Sequence, residues 1–301
     1  MKPGEPSRTA EHMALFRALE SSRPKERLFD DPFAELFLRP PFRLLLLLAR
    51  ARPLRVLVDY SIDVAGPGAR SSAIARTRLI DDTVRSALDD GVQQIVILGA
   101  GFDCRAYRMP GMERIRVFEV DHPDTLAEKR RRLGTVLPSA PHHVRFVETD
   151  FNQRQLAAAM DQGGYDSQRR TCFLWEGVTN YLSDSAIDSG FRWFATATPG
   201  SMVIFTYVDR KVLTEPEAFY GGPGHLRRFQ RIGEPWTFGF DPGELGQYLA
   251  MRGLRLVEDI GAVEYRARYW GKRRDGLRGY EFYRVAVAGV SGRGGPNPCG
   301  S

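Results

Sequence analysis

Leu98-Gly-Ala-Gly-Phe-Asp103 decides the fold: an apolar strand, Gln94 to Leu98, runs directly into a Gly-x-Gly turn. Glycine there lets the backbone turn tightly and approach a ligand with no Cβ in the way. Alone the pattern is weak, because Gly-x-Gly occurs in many ordinary turns. Upstream, Ile80, Val84, Ala87 and Leu88 fall on one helix face that Gly91 terminates. Downstream, further strands read at Arg116 to Val120, Val144 to Glu148, Thr171 to Trp175 and Met202 to Val208, each rich in β-branched or aromatic residues. Between the last two, Ser183 is placed to cap a helix whose stripe of Ile187, Phe191, Phe194, Ala195 and Thr198 ends at Pro199-Gly200. This alternation predicts parallel strands joined by helical crossovers, a Rossmann-like, doubly wound α/β core.

Outside that core the rhythm changes. Arg8 to Glu20 and Pro32 to Leu38 read as helices, the second with Asp31 as N-cap, and suggest a helical lid over the ligand edge. Phe42 to Val58 is the most apolar stretch, but Arg43, Arg50, Arg52, Pro53 and Arg55 interrupt it, so a buried helix is expected rather than a membrane span. After Val208 comes an irregular segment with Gly221-Gly-Pro-Gly224 and a helix signed by Asp241-Pro-Gly-Glu244. Leu254 to Ile260 and Phe282 to Val290 read as closing strands, the last antiparallel, before a Gly/Pro/Ser tail expected to be disordered. The expected division is a lid over residues 1–75, a core over 76–210, a substrate-side insertion with its late helix over 211–275, a closing strand over 276–290 and a tail over 291–301.

The 301 residues carry 43 Lys and Arg against 37 Asp and Glu, and the excess is scattered rather than gathered into a basic run, which argues against a nucleic-acid partner. Cys104, Cys172 and Cys299 show no metal-ligand spacing and suggest reduced thiols, hence a cytoplasmic protein with no metal. The N-terminus has no apolar run of the signal-peptide kind.

Three more strands end in a carboxylate: Asp121, Asp150 and Glu176. Carboxyl ends of strands line the ligand crevice in such sheets. An acid after the second strand can accept ribose hydroxyls, and one after the third can accept from an adenine amino group. A nicotinamide dinucleotide would use the same turn and Asp121, making an NAD(P)-dependent oxidoreductase the competing class. Against it, Cys104-Arg105 stand where a third glycine is wanted, beside an acidic Asp103 that would repel pyrophosphate.

Taken in order, Asp31-Pro-Phe-Ala34, Ala75-Arg76-Thr77-Arg78, Leu98-Gly-Ala-Gly-Phe-Asp-Cys-Arg105, Phe118-Glu-Val-Asp-His-Pro123, Glu148-Thr-Asp-Phe151 and Glu176-Gly-Val-Thr-Asn-Tyr-Leu182 resemble the leucine carboxyl methyltransferase family over roughly residues 8 to 208. The resemblance implies a class I methyltransferase sheet, mostly parallel with an antiparallel last strand, binding S-adenosylmethionine at the strand ends. It implies that Arg76 holds the methionine carboxylate, that Gly99, Ala100 and Gly101 pass beneath the methionine portion, and that Asp121 binds the ribose. It further implies Asp150 and Phe151 beside the adenine, Glu176 receiving the amino group or ordering the methionine end, and Tyr181 near the methyl group, a residue that packs equally well as core.

No family motif is legible after Val208, so the acceptor rests on chemistry. A carboxylate is already ionised at neutral pH and needs no base, whereas an alcohol or phenol must lose a proton. His122, before Pro123 at a helix start, reads as an N-cap, and His225 as a loop histidine that is the other candidate base. The expectation is therefore O-methylation of a carboxylate on a small organic or polyketide-like acid. Methylation of a hydroxyl or of a protein's C-terminal carboxylate is the alternative. Tyr207, Tyr220 and Trp236, with Phe219, Phe238 and Phe240, are candidates for an acceptor pocket, and Arg210, Arg227 or Arg228 for receiving an acid. The oligomeric state is not readable.

Overall fold

The computed structural model describes residues 8–137, 139, 141–150, 156–271 and 278–291. Seven strands form one sheet: β1 (Gln94–Leu98), β2 (Arg116–Asp121), β3 (Val144–Glu148), β4 (Thr171–Trp175), β5 (Met202–Val208), β6 (Leu254–Gly261) and β7 (Tyr283–Val290). Their order is β3-β2-β1-β4-β5-β7-β6, with β1 to β5 parallel and β7 antiparallel to both neighbours. This is a Rossmann-like sheet, mostly parallel with an antiparallel last strand. The direction of winding reverses between β1 and β4, so their carboxyl ends leave a crevice where a ligand is received.

Alternation along the strands explains the two apolar layers. Ile95 and Ile97 of β1 face a cluster built on α4 (Ala69–Asp89), with Ile80, Val84 and Ala87 buried as the helix periodicity predicts. Val96 and Leu98 face the opposite layer, where α8 (Asp184–Phe194) packs Ile187, Phe191 and Phe194 against Phe173 and Trp175. Ser183 Oγ accepts from the Ala186 N–H and caps α8, which stops at Phe194, so Ala195 and Thr198 lie beyond it. Short helices α5 (Arg105–Arg108), α7 (Leu156–Gln162) and α9 (Lys211–Thr214) complete the connections, with α6 (Pro123–Leu133) crossing from β2 to β3.

The N-terminal region lies across the crevice. Helix α1 (Arg8–Ser21) brings Arg17 to donate to the Phe102 carbonyl at 2.5 Å and Met13 Sδ to 3.4 Å from the Arg76 guanidinium. The expected boundary at residue 76 falls inside α4, so one helix runs across it. Asp31 accepts from the N–H groups of Phe33 and Ala34, and only one 3-10 turn, Ala34–Phe37, follows instead of a helix to Leu38.

Phe42 to Val58 is not one buried helix. Proline cannot donate a backbone N–H and ends a helix running into it. The chain extends at Ala51 and restarts, giving α2 (Pro40–Arg50) and α3 (Arg52–Ala65) with only Leu46, Ala49 and Val58 turned inward. The Gly221-to-Gly224 stretch opens a helix, α10 (Gly222–Arg231), Gly221 supplying a left-handed residue at φ 78°. Asp241 accepts from the Gly243 N–H in a turn, and α11 (Leu245–Ala250) begins after it, short of the expected start. Helix α12 (Ala262–Trp270) precedes β7. Most of the tail and Phe151 lie outside the described residues. No helix among the described residues is long and apolar enough to cross a membrane.

Candidate active site

The turn after β1 holds Gly99 at φ 63° and Gly101 at φ 39°. A Cβ on Gly99 would stand 2.3 Å from Val178 Cγ2. Gly99→Ala therefore combines left-handed strain with a clash, and about 2–4 kcal/mol of lost stability is expected in urea titration. A stability equal to wild type would mean that the turn rearranges freely.

Asp121, half-buried at the end of β2, accepts from the Gly101 N–H at 2.6 Å and the His122 N–H at 2.6 Å. Burial pushes its carboxyl above the ordinary range against the pull of these two donors. His122 caps α6, its Nδ1 accepting from the Asp124 N–H at 3.3 Å, and that lone pair is thereby engaged. Thr149, just past β3, donates its N–H to the Asp121 carbonyl, which sets Asp150 at the same edge. Beneath the turn, Lys129 and Glu119 form a fully buried pair at 2.9 Å, Tyr107 donates to Glu119, and Lys129 reaches the Ala100 carbonyl at 3.4 Å.

The other side of the turn is an ion network. Arg76 Nε donates to Glu176 at 2.9 Å while its guanidinium stacks on Tyr283. Arg105 binds the second Glu176 oxygen at 2.8 Å, Asp81 at 2.7 Å and Asp103, and Arg108 completes Asp81. Burial alone would raise the carboxyls. The guanidiniums outweigh it, holding Glu176 below its ordinary range and Asp103 down to about 2.

Beside this network, α1 and α10 border a small half-open cavity of about 40 Å³. Met13, Phe16, Phe229 and Tyr280 supply its apolar wall, and His12, His225 and Arg228 its polar groups. His225 is no exposed loop residue: it is buried on α10, and because Pro67 offers only a carbonyl, at 3.1 Å, Nε2 carries the proton. His12 Nδ1 likewise donates to the Arg8 carbonyl at 2.7 Å, leaving its Nε2 lone pair to accept from Arg228 at 2.9 Å. Burial depresses both imidazoles and keeps them neutral. Among the described residues, Arg228 has no carboxylate partner; its other contact is the Ala65 carbonyl at 3.4 Å.

The family described as leucine carboxyl methyltransferase matches residues 10–195. The chain belongs to this family. A relative from Frankia alni, named "Putative S-adenosyl-L-methionine-dependent methyltransferase", is 35% identical over 212 residues, covering 70% of this chain and 72% of that one. One of the same description from Mycolicibacterium gilvum is 34% identical, covering 66% of this chain and 65% of its own length. Among solved structures, a putative methyltransferase from Thermobifida fusca superposes with a TM-score of 0.58 at 17% identity, covering 97% of both chains, a likeness of fold. As a member of the leucine carboxyl methyltransferase family, the chain is an S-adenosylmethionine-dependent methyltransferase.

Within this family member, the structure brings Arg76, Gly99, Ala100, Gly101, Asp121, Asp150 and Glu176 to the crevice edge. It does not bring Tyr207 to a pocket. Tyr207 points into the apolar layer under β5 and donates to Asp259 at 2.7 Å, because its face of the strand is the one carrying Val203 and Phe205. Tyr220 is 52% exposed beneath the Arg278 guanidinium. Trp236 packs on Phe229, one layer behind the cavity, and the Tyr181 hydroxyl faces Thr9 and Trp236. Arg105, Asp81, Lys129 and Glu119 were not singled out by residue type. Asp81 had left a trace, lying four residues after Thr77 on the buried face of α4.

Proposed function

We propose that this methyltransferase esterifies a carboxylate of a small organic acid seated in the cavity between α1 and α10. The observation that supports this most is Arg228: a cavity cation held by a carbonyl and a neutral imidazole, with no carboxylate among the described residues to neutralise it. A guanidinium presented this way orients a planar carboxylate. The apolar wall of Met13, Phe16 and Phe229 suits a hydrophobic body on the acid.

The crevice residues fit S-adenosylmethionine. A turn whose two glycines carry no Cβ, an acid at the end of β2 and a second at the edge of β3 match a ribose and an adenine, with Arg76 and Glu176 left to take the carboxylate and amino groups. Asp103, ionised at neutral pH, opposes a pyrophosphate at the same turn. When bound, S-adenosylmethionine supplies an electrophilic methyl group on a sulfonium. The chain's own part is alignment and exclusion of water. Met13 and Tyr280 lie between the cavity and Arg76, Met13 by direct contact and Tyr280 through the Tyr283 ring, so acceptor and donor sites would adjoin across one layer of side chains that must part for the acceptor oxygen to meet the methyl carbon in line. Tyr181 would close that layer from the side of Thr9. The acceptor oxygen gains a methyl, the carbon–sulfur bond breaks, and no proton need be removed.

The test is a screen of aromatic and aliphatic carboxylic acids with S-adenosylmethionine, products identified by mass spectrometry and alkaline hydrolysis. Methyl esters are expected, and their formation should survive His225→Gln, which removes a possible base while keeping a donor for Pro67. Alkali-stable ethers made only by the histidine enzyme would replace the carboxylate reading with a hydroxyl acceptor.

A further inference from the structure

Large apolar side chains exposed to solvent are concentrated in one place. Of the thirteen that stand out among the described residues, eight lie on the hairpin of α2 and α3: Leu44, Leu47, Leu48, Leu54, Val56, Leu57, Tyr60 and Val64. Val56 and Tyr60 are each 69% exposed. On α2 the spacing of 44, 47 and 48, and on α3 that of 56, 57, 60 and 64, gathers them into outward stripes opposite the inward Leu46, Ala49 and Val58. A soluble monomer rarely leaves such a patch without use.

Charge on this hairpin is sorted. Its two acids turn inward: Asp59 pairs with Arg23 at 3.0 Å and Arg70 at 3.4 Å, and Asp63 with Arg70 at 2.6 Å. Arg43 and Arg52, both exposed, have no carboxylate partner among the described residues. The outward face thus offers apolar side chains and cations and no acid of its own. A second copy docking by two-fold symmetry would set this face against itself, cation near cation, with nothing to neutralise either. An anionic lipid surface supplies both halves of the complement, acyl chains for the leucines and headgroup charge for the arginines.

We infer that the α2–α3 hairpin is a peripheral membrane-binding surface selective for anionic phospholipid. It lies on the bilayer and does not span it. Helix α3 ends at Ala65, whose carbonyl receives Arg228, so the surface adjoins the cavity wall.

The full chain should be sedimented with vesicles of phosphatidylglycerol mixed with phosphatidylcholine, and with phosphatidylcholine alone. Partition onto the anionic vesicles that weakens with salt is expected. Leu47→Glu/Leu57→Glu and, separately, Arg43→Glu/Arg52→Glu should each lower the partition coefficient at least about tenfold, with melting temperature unchanged because these side chains are exposed. Three results would overturn the inference. One is no partition, another is partition that ignores both double variants, and the third is a dimer in sedimentation equilibrium that Leu47→Glu/Leu57→Glu dissociates, assigning the face to a second copy.

Discussion

Arg105→Met is expected to remove about 3–5 kcal/mol of folding stability, the cost of leaving buried carboxylates without their cation. The Arg105 side chain is 4% exposed and contacts three acids from three parts of the chain, Asp81 on α4, Asp103 after the glycine turn and Glu176 after β4. Methionine fills much of the volume, so the loss measured in urea reports charge rather than a cavity. The pH dependence separates the two. Asp103 has a folded pKa of about 2 against an ordinary 3.8, so its pairing stabilises the wild type above about pH 4, and that contribution is lost as pH falls toward 2. In the variant Asp103 no longer has its nearest cation, and the gap between the two proteins should narrow over that window. A gap that stays constant from pH 7 to pH 3 would show that packing, not the ion network, carries the effect.

Asp121→Ala should weaken S-adenosylmethionine binding by about 100-fold or more in titration calorimetry, because the side chain has two duties. It accepts the N–H groups of Gly101 and His122, holding the turn in place, and its remaining lone pairs face the crevice. Charge-assisted hydrogen bonds of this kind contribute about 1.5–3 kcal/mol each. Burial raises the Asp121 carboxyl, so in the wild type affinity should begin to fall, as the pH is lowered, above the range where an ordinary aspartate protonates. Asp121→Asn should be weak and free of that dependence. Unchanged affinity in the alanine variant, with its fold verified by melting, would remove Asp121 from the binding site.

The core was legible because its signals are local. The apolar runs from Gln94 and Thr171 begin and end where the strands do, and the acids closing β2, β3 and β4 stand at strand ends whatever packs around them. The ion network was not, since Arg105 reads like any surface arginine until Asp81 and Glu176 are brought to it from residues 24 and 71 positions away. Tyr207 was misplaced for a similar reason: an aromatic suits a pocket and a core equally, and strand phase alone tells them apart. Leu44 to Leu48 exposes a further limit, in that an apolar run shows a need for burial without saying what provides it. His225 needed Pro67, a partner 158 residues distant, before its tautomer and burial had a cause.

Helix α4 also works as a ruler. Ala69 at its start borders the cavity, Arg76 lies at the crevice, and Asp81 anchors the ion network on the far side of the glycine turn. Seven residues separate the first two, close to two helical turns, so they project from nearly the same side about 10 Å apart along the axis. The spacing between cavity and crevice is therefore counted in residues of one rigid rod rather than left to loops, and a single inserted residue would swing the cavity wall by about 100° relative to Arg76. The segments around α10 are thus free to vary while the distance from the cavity to the crevice stays fixed by α4.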